Sequence, residues 1–155
     1  MRELIALIRF TNNCLGNVRK FYWKGDKKFV YFAFDKDHAG NVIFMPKWWR
    51  SNMSFASTVL SKHQDEIGKM CFDPVVDGIP RGGEQCYRRY YDSDKFTRHE
   101  TFAPGDIVGV KAAVPTKISD EDFRALMAVT GQYKGISPYK PYQFGFFTVE
   151  NISTP

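Results

Sequence analysis

Aromatic rings set between cations are the feature of this sequence most able to do chemistry, and they occur in two places. The first is Val18-Arg19-Lys20-Phe21-Tyr22-Trp23-Lys24-Gly25-Asp26-Lys27-Lys28, where Arg19, Lys20, Lys24, Lys27 and Lys28 surround Tyr22 and Trp23. A single-stranded nucleic-acid surface uses this combination: cations hold phosphates while rings stack on bases, at about 1–3 kcal/mol per stacked base. The second place is Cys86 to Tyr91 with Lys95 to Phe102, which sets Arg88, Arg89 and Arg98 among further rings. If both runs face one side, they form a groove rather than a patch. The alternative is that the rings pack beneath a solvated hairpin tip. His99, beside Arg98 and near Tyr90 and Lys95, is the candidate for catalysis. A metal-independent endoribonuclease needs only a general base, a general acid and a cation for the phosphorane. No nucleophile elbow or H-E-x-x-H pattern is present, and no cofactor is expected. Tyr133, Tyr139 and Tyr142 are suited to a protein interface, where tyrosine is a frequent anchor.

Charge is concentrated where the first run lies. Residues 1–28 hold seven Lys and Arg against two acids, whereas the remaining residues hold 15 of each sign, so the whole surplus of five belongs to the first strand and the loop after it. An anion-binding edge has this distribution. The 155 residues, 43% hydrophobic, suit one domain spanning 1–155 with a core of its own. No apolar run approaches the ~20 residues that cross a bilayer, and the first ten residues lack signal-peptide features, so no membrane partner and a cytoplasmic location are expected. Cys14, Cys71 and Cys86 are odd in number and include no C-x-x-C pair, which argues against a disulfide framework or a zinc site. The acids of Asp35 to Asn41 do not continue as a calcium loop, and the glycines between Asp77 and Glu84 match no phosphate-binding pattern.

The elements that must position these residues are readable in outline. Glu3 to Phe10 reads as a central strand, Phe29 to Phe34 as a second and Val42 to Phe44 as a short third. Pro46 opens a helix with Trp49, Met53, Ala56, Val59 and Leu60 on one face, and His63 at its end reads as a capping or surface group. Ile107 to Val114 is a core strand. Ser119 caps a helix over 120–130, acids fill its first turn, and Gly131 stands where a left-handed C-cap is wanted. Phe144 to Ile152 reads as a last strand, with Gly145 marking a bulge or a close backbone approach. This order predicts an α+β fold, ferredoxin-like or split βαβ, with two helices on one face of an antiparallel sheet.

Ser119 to Leu126, Gly131, Tyr133, Gly135-Ile136 and Gly145-Phe146-Phe147-Thr148-Val149 together resemble the C-terminus of small phage and prophage proteins. The arrangement is similar to the glycine-rich loop of the RAMP superfamily, the ferredoxin-like RNA-binding subunits of CRISPR effectors. Met45-Pro46 leading into a helix is similar to the proline-led helix of that group. Trp48 and Trp49 stand where the superfamily favours small residues, and Ser137-Pro138 replaces part of the glycine-rich loop. The resemblance implies a ferredoxin-like fold and single-stranded RNA or DNA as the partner. The alternative partner is a host nucleic-acid-processing or CRISPR defence complex, which a phage protein would inhibit by docking through an aromatic patch.

Overall fold

In strand β1 (Arg2–Phe10) every second side chain, Leu4, Ala6, Ile8 and Phe10, is buried, the period of two expected of a strand with one face on a core. A computed structural model describes residues 1–78, 89–92, 97–139 and 144–155. In it β1 lies between β8 (Ile107–Val114) and β9 (Phe147–Ser153), and β5 (Cys71–Gly78) pairs with the far side of β8. All three pairings are antiparallel, giving the order β5-β8-β1-β9.

Helices α1 (Pro46–Leu60) and α2 (Asp120–Tyr133) pack on each other and close this core. Trp49, Met53 and Ala56 from the first join Phe123, Leu126 and Met127 from the second and the inward row of β1 in one cluster. Trp49 stacks on Phe72 with ring centroids 5.6 Å apart. Val59 does not belong to the buried face: it is 51% exposed. At about 100° per residue it sits roughly 80° round from Trp49, on the outer side with Phe55. His63 is not a simple end group either. Its Nε2 lies 2.6 Å from Asp122 Oδ2, tying the end of α1 to the first turn of α2.

The start of α2 follows its sequence, since the Ser119 hydroxyl accepts the Asp122 N–H at 3.1 Å. Its end does not. The helix runs through Gly131 to Tyr133, and the positive φ of +69° falls on Gly135. Gly131 is required for packing, because a Cβ there would lie 2.2 Å from the Phe147 carbonyl oxygen. Gly145, with φ +80°, delays the start of β9 to Phe147. Its N–H donates to Asn13 O, its carbonyl accepts from Ile136 N, and a Cβ would meet Ile136 O at 2.3 Å.

The expected single sheet is instead two. The aromatic-cationic runs lie in a second, mixed sheet built from β2 (Cys14–Leu15), β3 (Val18–Lys24), β4 (Lys27–Ala33), β6 (Arg89–Asp92) and β7 (Arg98–Phe102). β3 and β4 form a hairpin in register from Val18↔Ala33 to Lys24↔Lys27, with Gly25 at φ +64° in its turn. β4 joins β7 in parallel through Phe32↔His99, and β6 adds to the other side of β7. Val42 to Phe44 makes only isolated bridges, although Val42 and Phe44 are buried.

Candidate nucleic-acid interface

Residues 19 to 30 are all exposed, so the β3–β4 hairpin stands out from the body as a two-stranded ribbon. Directly opposed residues share a face, so register sorts the cations and rings into two sets. Lys20, Tyr22 and Lys24 lie on one face with Lys27, Phe29 and Tyr31. Arg19, Phe21 and Trp23 lie on the other with Lys28, Val30 and Phe32. Tyr22 and Trp23, neighbours in sequence, therefore look in opposite directions.

The first face continues onto β6 and β7. Phe29 stacks on Tyr22 at 5.3 Å, Tyr22 tilts against Tyr31 at 6.1 Å, and Tyr31 meets Tyr90 edge-on at 5.9 Å. The Arg98 guanidinium lies 5.4 Å from the centre of the Tyr90 ring, and its Nε donates to Asp92 Oδ1 at 3.0 Å. The Asp92 carboxylate pushes the Arg98 pKa further up, while burial and the nearby Glu100 charge raise that of the Tyr90 phenol. Tyr22, Tyr31, Tyr90 and Arg98 line an open-sided space of about 290 Å³. Two stretches far apart in sequence thus form one surface; Phe29 and Tyr31 belong to it although the sequence did not single them out as site residues, and so does Tyr90, named there only beside His99. Their signal was the alternation of Phe29 and Tyr31 in phase with Lys27.

On the second face Lys28 sits over the Phe21 ring at 4.3 Å, and Trp23 is 63% exposed. Further down, Phe32 stacks on His99 at 5.0 Å, and the surface gives way to packing. His99 is 0% exposed. Its Nδ1 donates to the Gly16 carbonyl at 2.6 Å, which leaves Nε2 to accept the Thr97 hydroxyl at 2.8 Å. Burial lowers its pKa, so it is held neutral. With both nitrogens engaged inside the protein, His99 presents neither a base nor an acid to a substrate outside it.

Arg89 is turned away from Arg98. It forms an ion pair with Asp106, a carboxylate only 2% exposed that also accepts the Ala103 N–H at 2.8 Å. It compensates a buried charge, so its guanidinium is engaged with Asp106 although the side chain is only partly buried. Tyr139 is wedged between His99 at 4.4 Å and Phe144 at 5.9 Å, whereas Tyr133 is exposed and meets Phe55 edge-on at 6.4 Å. Lys134 lies over the same Phe55 ring at 4.6 Å. Arg88, Lys95, Cys86 and Tyr142 lie outside the described residues. Cys14 is buried, its thiol donating to the Ile136 carbonyl at 3.0 Å, and Cys71 is exposed. Among the described residues no helix is long and apolar enough to cross a membrane.

The fold and this surface define an α+β protein with a helix-backed antiparallel sheet and a projecting aromatic-cationic hairpin. No family model and no curated protein matches the sequence. The structure is similar to a chain of a Type IV-B CRISPR complex, with a TM-score of 0.52 over 97% of this chain and 90% of that one, at 7% sequence identity. At that identity the likeness concerns the fold.

Proposed function

We propose that this chain is a non-enzymatic protein of the ferredoxin-like, RAMP-like kind that binds single-stranded nucleic acid, RNA foremost, along the Tyr22 face of its hairpin. The βαββαβ order of β1, α1, β5, β8, α2 and β9, with sheet order β5-β8-β1-β9, supports the ferredoxin-like reading. The observation that carries the function is the ladder Phe29-Tyr22-Tyr31-Tyr90-Arg98 flanked by Lys20, Lys24 and Lys27. Rings spaced along a surface with cations at their margins bind a strand by stacking and by phosphate contact, with little dependence on base order. Similarity to a chain of a CRISPR complex is consistent with a role inside or against such an assembly. Fluorescence anisotropy with a single-stranded RNA tests the reading. Binding at low salt, weakened about five- to one-hundredfold by Tyr22→Ala, is expected. Absence of binding to RNA and to single-stranded DNA would overturn it.

A second reading, docking onto a host nucleic-acid-processing complex, draws on a different surface. Phe55, Val59 and Tyr133 are exposed together at the outer side of the helices, with Lys134 over Phe55. Exposed aromatic residues of this kind serve as interface anchors. Co-purification of a stoichiometric protein that survives nuclease and is lost in Tyr133→Ala would favour it.

A further inference from the structure

We propose that the space between Tyr22, Tyr31, Tyr90 and Arg98 is a base pocket that selects guanine over adenine and uracil, an inference that rests on the single-strand reading above. At about 290 Å³ it falls just below the ~300–1,000 Å³ of drug-sized ligand sites, a size suited to one base. Its rings do not fill it by stacking on each other. Tyr31 stands at 58° to Tyr22 and 83° to Tyr90, so the three form walls, and Phe29 backs the Tyr22 ring at an angle of 16°. A base entering here stacks on an aromatic face and turns an edge toward Arg98.

The chemistry of that edge sets the preference. The Nε of Arg98 is tied to Asp92 Oδ1 at 3.0 Å and its guanidinium carbon lies over the Tyr90 ring, two contacts that orient the fork. Neither terminal amino group has a partner among the described residues. Two adjacent donors match two adjacent acceptors, and guanine supplies them as O6 and N7. Adenine puts an amino group next to N7, so one donor would meet another. Uracil sets an N–H between its two carbonyl oxygens and offers no such pair, whereas cytosine also has adjacent acceptors, O2 and N3, on its pairing edge, so the reference strand is built from U. Asp92 acts as a positioning residue: it orients the fork and leaves the other two amino groups for the base.

Unstructured RNAs of about 12 nucleotides, within the site size of such surfaces, provide the test: one of U alone, one with a single central G and one with a single central A. Wild-type protein is expected to bind the G strand roughly tenfold more tightly than the other two. Arg98→Lys keeps the charge but not the fork, and Arg98 is exposed, so folding is not at stake. It is expected to bring the G strand down to the level of the A and U strands, abolishing the preference whatever change all three share. Equal, measurable affinity for all three strands, or a preference for A, overturns the pocket and leaves single-strand binding standing. A uniform loss for every strand in Arg98→Lys, with the preference for G kept, also overturns it, by making Arg98 a phosphate ligand. No binding of any strand at low salt removes the pocket and the single-strand reading together.

Discussion

The two sheets apply the same alternation to opposite ends. In β1 alternate apolar side chains, Leu4 to Phe10, are fully buried, while in β3 the alternate rings Phe21 and Trp23 are 59% and 63% exposed. The difference is a second layer. Two helices cover one sheet, and among the described residues nothing covers the hairpin. Exposed rings grouped on one element are what a binding surface presents, and they are the ground for the proposed reading. On the proposed function, the first sheet carries stability and the hairpin of the second carries recognition.

The sharpest way to break that division is to remove one ring from each. Phe123→Ala is expected to cost about 3–5 kcal/mol in chemical denaturation, because a buried ring leaves a cavity that collapses only partly. Trp23→Ala should stay within about 0.5 kcal/mol of wild type. A comparable loss from both would mean the hairpin is part of the core. Next in size is Gly131→Ala, expected to cost about 1–3 kcal/mol by the same measurement, since the new methyl must displace the backbone of β9. An unchanged midpoint would show that the α2–β9 contact is looser than the structure has it.

His99 sharpens the boundary between the sheets. Burial lowers its folded pKa below the ordinary 6.5, so as pH falls through that value the unfolded chain gains a proton that the folded one refuses. Stability is therefore full above the ordinary value and declines below it, by at most about 1.4 kcal/mol per pH unit for one proton. Denaturation at about pH 7.5 and about pH 5.5 should show the decline, and His99→Gln should flatten it. A profile identical in wild type and variant would mean that His99 is accessible.

The scaffold was legible because each of its elements carries a local signal: alternation in β1 and β8, a hydroxyl cap before α2, a proline opening α1. The second sheet was not, since Phe32↔His99 joins residues far apart in sequence and no local pattern reports the partner of a strand. Arg89 and Arg98 look equivalent as letters, yet register places one against Asp106 and the other over Tyr90. Gly131 was read as a cap because a glycine kept for close packing and one kept for a positive φ are the same residue in a sequence. The aromatic-cationic character of both runs was visible, but their joining into one surface was not.

Salt dependence of RNA binding tests the central claim most directly. With Lys20, Lys24 and Lys27 on the Tyr22 face meeting phosphates, the slope of log K against log salt should be about −2, from ~0.7 for each single-strand phosphate. Replacing Lys24 and Lys27 with Ala should remove about 1.4 of that slope, whereas replacing Arg19 and Lys28, on the opposite face, should leave it nearly unchanged. A slope near zero, or an equal loss from both pairs, would contradict a binding track on one face of the hairpin.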